Sequence, residues 1–280
     1  MRFLTWTPDL ARRFWDDLAG TDFLAELTFS RFAAPYLVEL CQEYLARQTV
    51  ALDFGGGFNA YLTKELLRTG VSVRLYEPSL RETQLPDDIR GNPRFLGTDP
   101  TITPNEYDVI FAVEVIEHVF DEGVAAVLGK IYEGLKVGGV LVMTTPNQED
   151  LRLSSRYCPT CRHLFHPWGH LRSFDKDSLR TLLNASGFEC EAVWNVDFSG
   201  TRESLEELKA LKKAVVAQAE EAEAVLRTAW LLPGRARRLL KAVAGWKRIG
   251  RSDEFRVDPS DRQIGAGGTL VAFARRMQSG

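Results

Sequence analysis

Val50-Ala51-Leu52-Asp53-Phe54-Gly55-Gly56-Gly57-Phe58-Asn59-Ala60 decides the fold of this chain. Val50 to Phe54 is a short apolar run that reads as a buried strand. Three glycines end it, and a helical pattern follows from Asn59 to Leu67. Strand, glycine turn and helix together bring a small charged ligand against bare backbone N–H groups. Glycine is needed there because a Cβ would block the approach or clash at positive φ. Gly55, Gly57 and Ala60 also fit the G-x-G-x-x-A form of the dinucleotide fingerprint.

Outward from this loop, Val71 to Tyr76 alternates as a second strand and ends at Glu77. An acidic residue about 20 residues beyond the glycines can accept both hydroxyls of a ribose. The competing reading is a solvated strand-end carboxylate. Further strands are expected near 93–97, 107–113 and 139–145, with helices near 59–69 and 121–135. Alternation of this kind predicts a parallel sheet covered on both faces. Ligands of such sheets sit outside the carboxyl ends of the strands. Asp53–Gly57, Glu77, Asp99, Ala112–Glu114 and Pro146–Asn147 all fall at those ends.

Tyr107 to Val113 runs into Glu114-Val115-Ile116-Glu117-His118-Val119, and Lys136 to Val142 reads KVGGVLV. With the glycine loop and Glu77, these segments resemble the class I S-adenosylmethionine-dependent methyltransferases. The likeness is strongest to the small-molecule branch that includes the ubiquinone O-methyltransferases. It covers roughly residues 40–198 and the last strand near 268–275. The family loop reads D-x-G-C-G-x-G; Asp53, Gly55 and Gly57 match it, Gly56 stands for Cys, and Asn59 stands for the last Gly.

The resemblance implies an α/β fold: a Rossmann-like, seven-stranded, mostly parallel sheet with helices on both faces and an antiparallel last strand. It implies S-adenosyl-L-methionine as cofactor, with Gly55 and Gly57 against the methionine end, Glu77 on the ribose, Asp99 by the adenine and Val113 near the transferring methyl. Asp53 orients the loop. A competing use of the same loop is an NAD-dependent oxidoreductase.

A hydroxyl acceptor must lose a proton during methyl transfer, and histidine is the usual base near neutral pH. His118 belongs to a Glu-His pair that recurs in the resembled branch; the alternative is a cap for the helix near Asp121. The same branch carries H-x3-H-x3-F, matched here by His166, His170 and Phe174, which makes His166 and His170 candidate catalytic residues.

Cys158, Cys161, His166 and His170 are spaced C-x2-C-x4-H-x3-H. Two thiolates and two imidazoles make a closed tetrahedral set for a structural zinc. Plain reduced thiols, and His163 replacing one of the other histidines, are the alternatives. A histidine that ligates zinc through its free nitrogen cannot also act as base.

Residues 1–48 read as an N-terminal helical cover, with helices at Asp9–Leu18 and from Pro35 to Leu45, Pro35 in the first turn. The cofactor-binding core spans 49–200. A helix from Asp175 to Ser186 stops at Gly187, and Phe188 to Val196 is the next strand. A helical insert is expected over 201–262, and 263–280 returns the last strand to the sheet. Arg227 to Arg251 carries eight basic residues and no acid. A basic, apolar-striped helix over 234–251 suits a solvated face, an anionic lipid surface, a phosphorylated substrate or nucleic acid, and a non-catalytic scaffold that binds membrane or partner through it is the alternative to an enzyme.

The 280 residues carry a net charge of −3, which gives no drive toward nucleic acid. No run of about 18 apolar residues predicts a transmembrane helix. Four cysteines in this length point to reduced thiols and a cytoplasmic protein, peripheral at a membrane if the basic helix binds lipid. The acceptor is expected to be a small molecule methylated on a hydroxyl oxygen.

Overall fold

A computed structural model describes residues 2–19, 21–78, 80, 84–196, 198 and 268–278. The elements in chain order begin with β1 (Arg2–Phe3), α1 (Pro8–Leu18), α2 (Asp22–Leu27) and α3 (Phe29–Leu40). They continue with β2 (Val50–Phe54), α4 (Tyr61–Thr69), β3 (Ser72–Tyr76), α5 (Asp87–Arg90), β4 (Phe95–Thr98) and β5 (Tyr107–Val113). After these come α6 (Asp121–Gly134), β6 (Leu135–Pro146), β7 (Arg156–Tyr157), β8 (His163–Phe165), α7 (Lys176–Ala185), β9 (Phe188–Val196) and β10 (Thr269–Arg276).

Among the described residues, seven strands form one sheet in the order β4-β3-β2-β5-β6-β10-β9. The first five run parallel, and β10 is antiparallel to both neighbours. Chain order reverses between β2 and β5, which opens the crevice where such sheets bind ligands. Alternate side chains of the central strands face opposite layers. Ala51, Val109, Phe111, Val142 and Phe273 pack with Leu37, Leu62 and Leu66 of α3 and α4. Leu52, Ile110, Leu141 and Ala272 pack with Leu128, Ile131, Leu179 and Leu183 of α6 and α7. Near-continuous apolar strands follow from burial on both sides.

The expected α/β sheet is thus present, with its antiparallel last strand. Helix ends follow local chemistry. Asp175 caps α7, accepting from the Ser178 N–H at 2.7 Å, and Gly187 beyond its end sits at φ 91. The helix expected from Pro35 instead begins at Phe29 and ends at Leu40, with Pro35 inside it. An interior proline removes one hydrogen bond and costs about 3 kcal/mol. Burial of Ala33, Ala34, Leu37, Val38 and Leu40 offsets that cost. Helix α2 was not expected; Thr21 caps it through its side chain.

A second, small sheet has the order β1-β8-β7. It joins the N-terminus to the cysteine-containing segment, with Arg2 opposite His163 and Phe3 opposite Leu164. The insert over 201–262, its basic helix at 234–251 and the lipid contact expected of it lie outside the described residues. Among the described residues, no helix is long and apolar enough to cross a membrane.

Candidate active site

The glycine loop leaves β2 in the left-handed conformation, with Gly55 at φ 74 and Gly57 at φ 67. The Gly55 N–H donates to the Tyr76 carbonyl at 2.7 Å, tying the loop to the end of β3 beside Glu77. Asp53 lies beneath. Its Oδ2 accepts from the Thr63 N–H at 3.0 Å and the Thr63 hydroxyl at 2.7 Å. Burial, only partly offset by those bonds, pushes its carboxyl up to about 6. Asp53 therefore fixes the end of β2 to α4. A Cβ on Gly56 would come within 2.4 Å of Asp53 Oδ2 and 2.6 Å of Leu75 Cδ1, so no side chain fits where the family pattern has Cys. A Cβ on Gly57 would meet nothing within 4 Å; that side of the loop is open.

Asp99 follows β4 and is buried. Its oxygens accept from the N–H groups of Thr101, Ile102 and Thr103, the Thr103 hydroxyl and the Tyr107 hydroxyl, the last at 2.6 Å. These bonds outweigh burial and hold its carboxyl below the usual range. These five bonds commit the Asp99 carboxylate to the turn that follows β4. Val113 ends β5, half-buried, opposite Thr144 of β6.

Beyond Val113 the chain turns sharply. Glu114 has φ 53, a strained value for a residue with a Cβ. The Thr144 hydroxyl donates to Glu114 Oε1 at 2.8 Å. Desolvation pushes the Glu114 carboxyl up to about 7. A short 3₁₀ turn, Ile116–His118, follows. Glu117 is only 1% exposed, and neither of its oxygens has a hydrogen-bond partner of proper geometry, although the Thr145 hydroxyl lies close by. Burial and the nearby Glu114 raise its carboxyl well above the ordinary value.

His118 does not cap the following helix. Phe120 holds that position without a side-chain bond. The His118 ring instead packs edge-on against Trp15 of α1 at 5.1 Å and His170 at 4.8 Å. Burial, helped by His170 and His166 and opposed by the Gly169 carbonyl, pushes it down to about 3, so the imidazole is neutral.

The expected zinc tetrad does not form: among the described residues, His166 and His170 gather with Glu149, and no cluster of ligand atoms includes either cysteine. Cys158 and Cys161 occupy the tip of the β7–β8 hairpin, where the Arg162 N–H donates to the Cys158 carbonyl and Arg162 turns at φ 59. Strand β8 then carries the chain away from that tip before it reaches the buried His166. The hairpin is ordered by β1 and by its own pairing.

Glu149, which no motif singled out, is the hub of the histidine pair. His166 Nε2 lies 2.9 Å from Glu149 Oε1, and His170 Nδ1 lies 2.5 Å from Glu149 Oε2. His166 Nδ1 accepts from the N–H groups of Trp168 (3.3 Å) and His170 (3.2 Å), so the His166 proton sits on Nε2 and points at Glu149. The two rings stack with centroids 4.2 Å apart. Burial alone would raise the Glu149 carboxyl; the imidazole hydrogen bonds and charges outweigh it and hold the group far below its ordinary value. Its neighbours Pro146 and Asn147, at the end of β6, were the available signal that 149 lies at the crevice.

The N-terminal segment covers this cluster. Trp15 touches His118, Trp6 lies against Gly169, and Phe23 stacks on Trp168 with centroids 6.3 Å apart. The arrangement can therefore bind a small ligand at the glycine loop and exclude water above a buried set of imidazoles and carboxylates.

A family profile described as a methyltransferase domain matches residues 24–193. No curated protein matches the chain. Among solved structures it is similar to the 1,6-didemethyltoxoflavin-N1-methyltransferase of Burkholderia thailandensis, solved with 1,6-didemethyltoxoflavin and S-adenosylhomocysteine. Identity is 14% and the TM-score 0.55, over 99% of this chain and 94% of that one. A SAM-dependent methyltransferase from Methanosarcina mazei gives 13% identity and a TM-score of 0.51, over 86% and 98% of the two chains. The 4+2-cyclase SpnF gives 17% and 0.50, over 88% and 82%. At such identities the likeness is one of fold, and a fold of this kind carries more than one chemistry.

Proposed function

This chain belongs to the methyltransferase-domain family of class I, S-adenosylmethionine-dependent enzymes, and on that premise we propose that it transfers a methyl group to a hydroxyl oxygen of a small molecule. Gly55 and Gly57 receive the methionine end of S-adenosylmethionine, on the open side of the loop. Glu77 accepts from the ribose hydroxyls. Asp53 holds the loop, Asp99 shapes the adenine wall from behind, and Val113 lies beside the methyl. The cofactor supplies an electrophilic methyl on a sulfonium. The protein holds the acceptor oxygen in line with it, and positioning of that kind can contribute up to about 7–11 kcal/mol.

The observation that carries the preference for oxygen is the carboxylate-oriented imidazole pair. A neutral amine can attack without prior loss of a proton, whereas a hydroxyl must shed one during transfer. Glu149 takes the Nδ1–H of His170 at 2.5 Å and leaves Nε2 as its free nitrogen. His118 stands next to it, neutral. His166 touches Glu149 and serves to place it. His118 and His170 therefore face the acceptor side, and His166 acts through Glu149.

The test is transfer of a radiolabelled methyl from S-adenosylmethionine to a panel of phenols, sugars, lipid intermediates and matched amines. Transfer to hydroxyls that drops at least tenfold in His170→Ala supports the reading. Transfer to amines alone, or hydroxyl transfer indifferent to His170→Ala, overturns it.

A further inference from the structure

We propose that Glu117, His118 and His170 bind a divalent cation of the first transition row at the carboxyl end of β5. One ligand atom from each residue lies within 4.8 Å of the others. Glu117 is 1% exposed, with neither oxygen properly hydrogen-bonded, and His118 Nδ1 is likewise without a partner. Leaving a buried polar atom unpaired is costly, and more so for a charged group. Two unpaired carboxylate oxygens of Glu117, with an unpaired nitrogen on the adjoining imidazole, call for a ligand that accepts lone pairs. Glu114, Glu117 and Glu149 crowd the same place, and among the described residues no lysine or arginine pairs with any of them. A cation supplies the missing charge.

A second triangle, Glu149, His166 and His170, also converges, but it is satisfied internally. A ligating imidazole must present a bare nitrogen and give its remaining N–H to an acceptor. His166 cannot do so through Nε2. Its Nδ1 already accepts from two backbone N–H groups, so the proton stands on the nitrogen that faces Glu149. His170 meets the requirement as a neutral ring: Nδ1 lies 2.5 Å from Glu149, and with the proton on Nδ1 the lone pair is on Nε2. Glu149 and His166 thus form the outer support that sets the tautomer of a ligand. This explains why a carboxylate is buried behind His170 instead of in front of it.

Two imidazoles and a carboxylate suit Mn²⁺, Fe²⁺, Co²⁺ or Zn²⁺, and suit Mg²⁺ or Ca²⁺ poorly, since those prefer oxygen donors throughout. Three protein ligands leave positions open, and an acceptor hydroxyl bound there becomes more acidic. The inference rests on the proposed function and changes how the hydroxyl loses its proton: with Nε2 of His170 on the cation that nitrogen is no longer a base, and a hydroxyl bound to the cation would be acidic enough to give its proton to water.

The test is titration of Mn²⁺ into chelator-stripped full-length protein, followed by electron paramagnetic resonance. The expected result is one Mn²⁺ per chain and an imidazole nitrogen coupling in the bound spectrum. Glu117→Gln, His118→Ala and His170→Ala should each weaken binding at least tenfold. The double variant Cys158→Ser/Cys161→Ser, at the hairpin tip, should bind as the wild type does. Absence of stoichiometric binding, absence of nitrogen coupling in the wild type, or affinity lost in the cysteine variant would each overturn the site; the wild-type spectrum decides even if a variant fails to fold. Hydroxyl methylation by metal-free protein that binds no Mn²⁺ would remove the cation and leave the proposed function standing. Mn²⁺ binding without hydroxyl methylation would do the reverse.

Discussion

Replacing Gly56 by Ala places a methyl 2.4 Å from Asp53 Oδ2, 2.5 Å from its Cγ and 2.6 Å from Leu75 Cδ1. Ordinary contact begins about 1 Å farther out. Leu75 Cδ1 is the end of a side chain and can rotate in part. Asp53 cannot withdraw without loosening its bonds from the Thr63 N–H and hydroxyl. A hydrogen bond to a charged group is worth about 1.5–3 kcal/mol, and overpacking adds about 1–3. We expect Gly56→Ala to cost about 3 kcal/mol, which lowers the melting temperature by roughly 6–12 °C in a protein of this size. Calorimetry of a double-mutant cycle isolates the cause. In an Asp53→Ala background the carboxyl is gone, only the leucine methyl is in the way, and the added cost should fall below about 1 kcal/mol, a coupling of about 2 kcal/mol. If Gly56→Ala costs the same in both backgrounds, or melts with the wild type, Asp53 is not what excludes a side chain from this loop.

Three further outcomes follow from the same geometry. Asp53 has a folded pKa of about 6 against an ordinary 3.8, so the native state holds its proton over a range where the unfolded chain has lost it. Stability from this group is therefore greatest below pH 4, falls by about 3 kcal/mol as pH rises to 6, and is flat above. Urea unfolding at pH 4 and pH 7 should show that fall in the wild type and not in Asp53→Asn. Glu149→Gln keeps an acceptor for one imidazole and turns an N–H toward the other; we expect at least a tenfold loss in kcat with about 2–3 kcal/mol of stability, measured by methyl transfer and by urea midpoint. Tyr107→Phe removes the 2.6 Å bond to Asp99 from a fully buried site and should cost about 2 kcal/mol in thermal unfolding.

The sheet was readable because each central strand is a near-continuous apolar run closed by a turn, a pattern set by local chemistry. Gly187 and Asp175 mark the ends of α7 for the same reason. Pro35 misled because tertiary burial carried α3 through a residue that local propensity would place at a helix start. The two-residue strand β1 has no periodicity to read; its pairing with β8 joins segments some 160 positions apart in the chain. That pairing also defeats the cysteine–histidine spacing, since it fixes the thiols at a hairpin tip and sends the imidazoles inward. The place of Glu149 near the end of β6 was legible, but its role was not, for a related reason. Its role exists only once the segment after β6 meets the one after β8, and nothing in the string QED distinguishes a buried hub from a solvated carboxylate.

The most direct measurement is calorimetric titration of S-adenosylhomocysteine into wild-type protein and into Glu77→Ala. One site per chain in the wild type, with affinity at least tenfold weaker in the variant and an unchanged melting temperature, is the predicted result. No binding to the wild type, or equal binding to both, would contradict the assignment of the glycine loop and Glu77 to this cofactor.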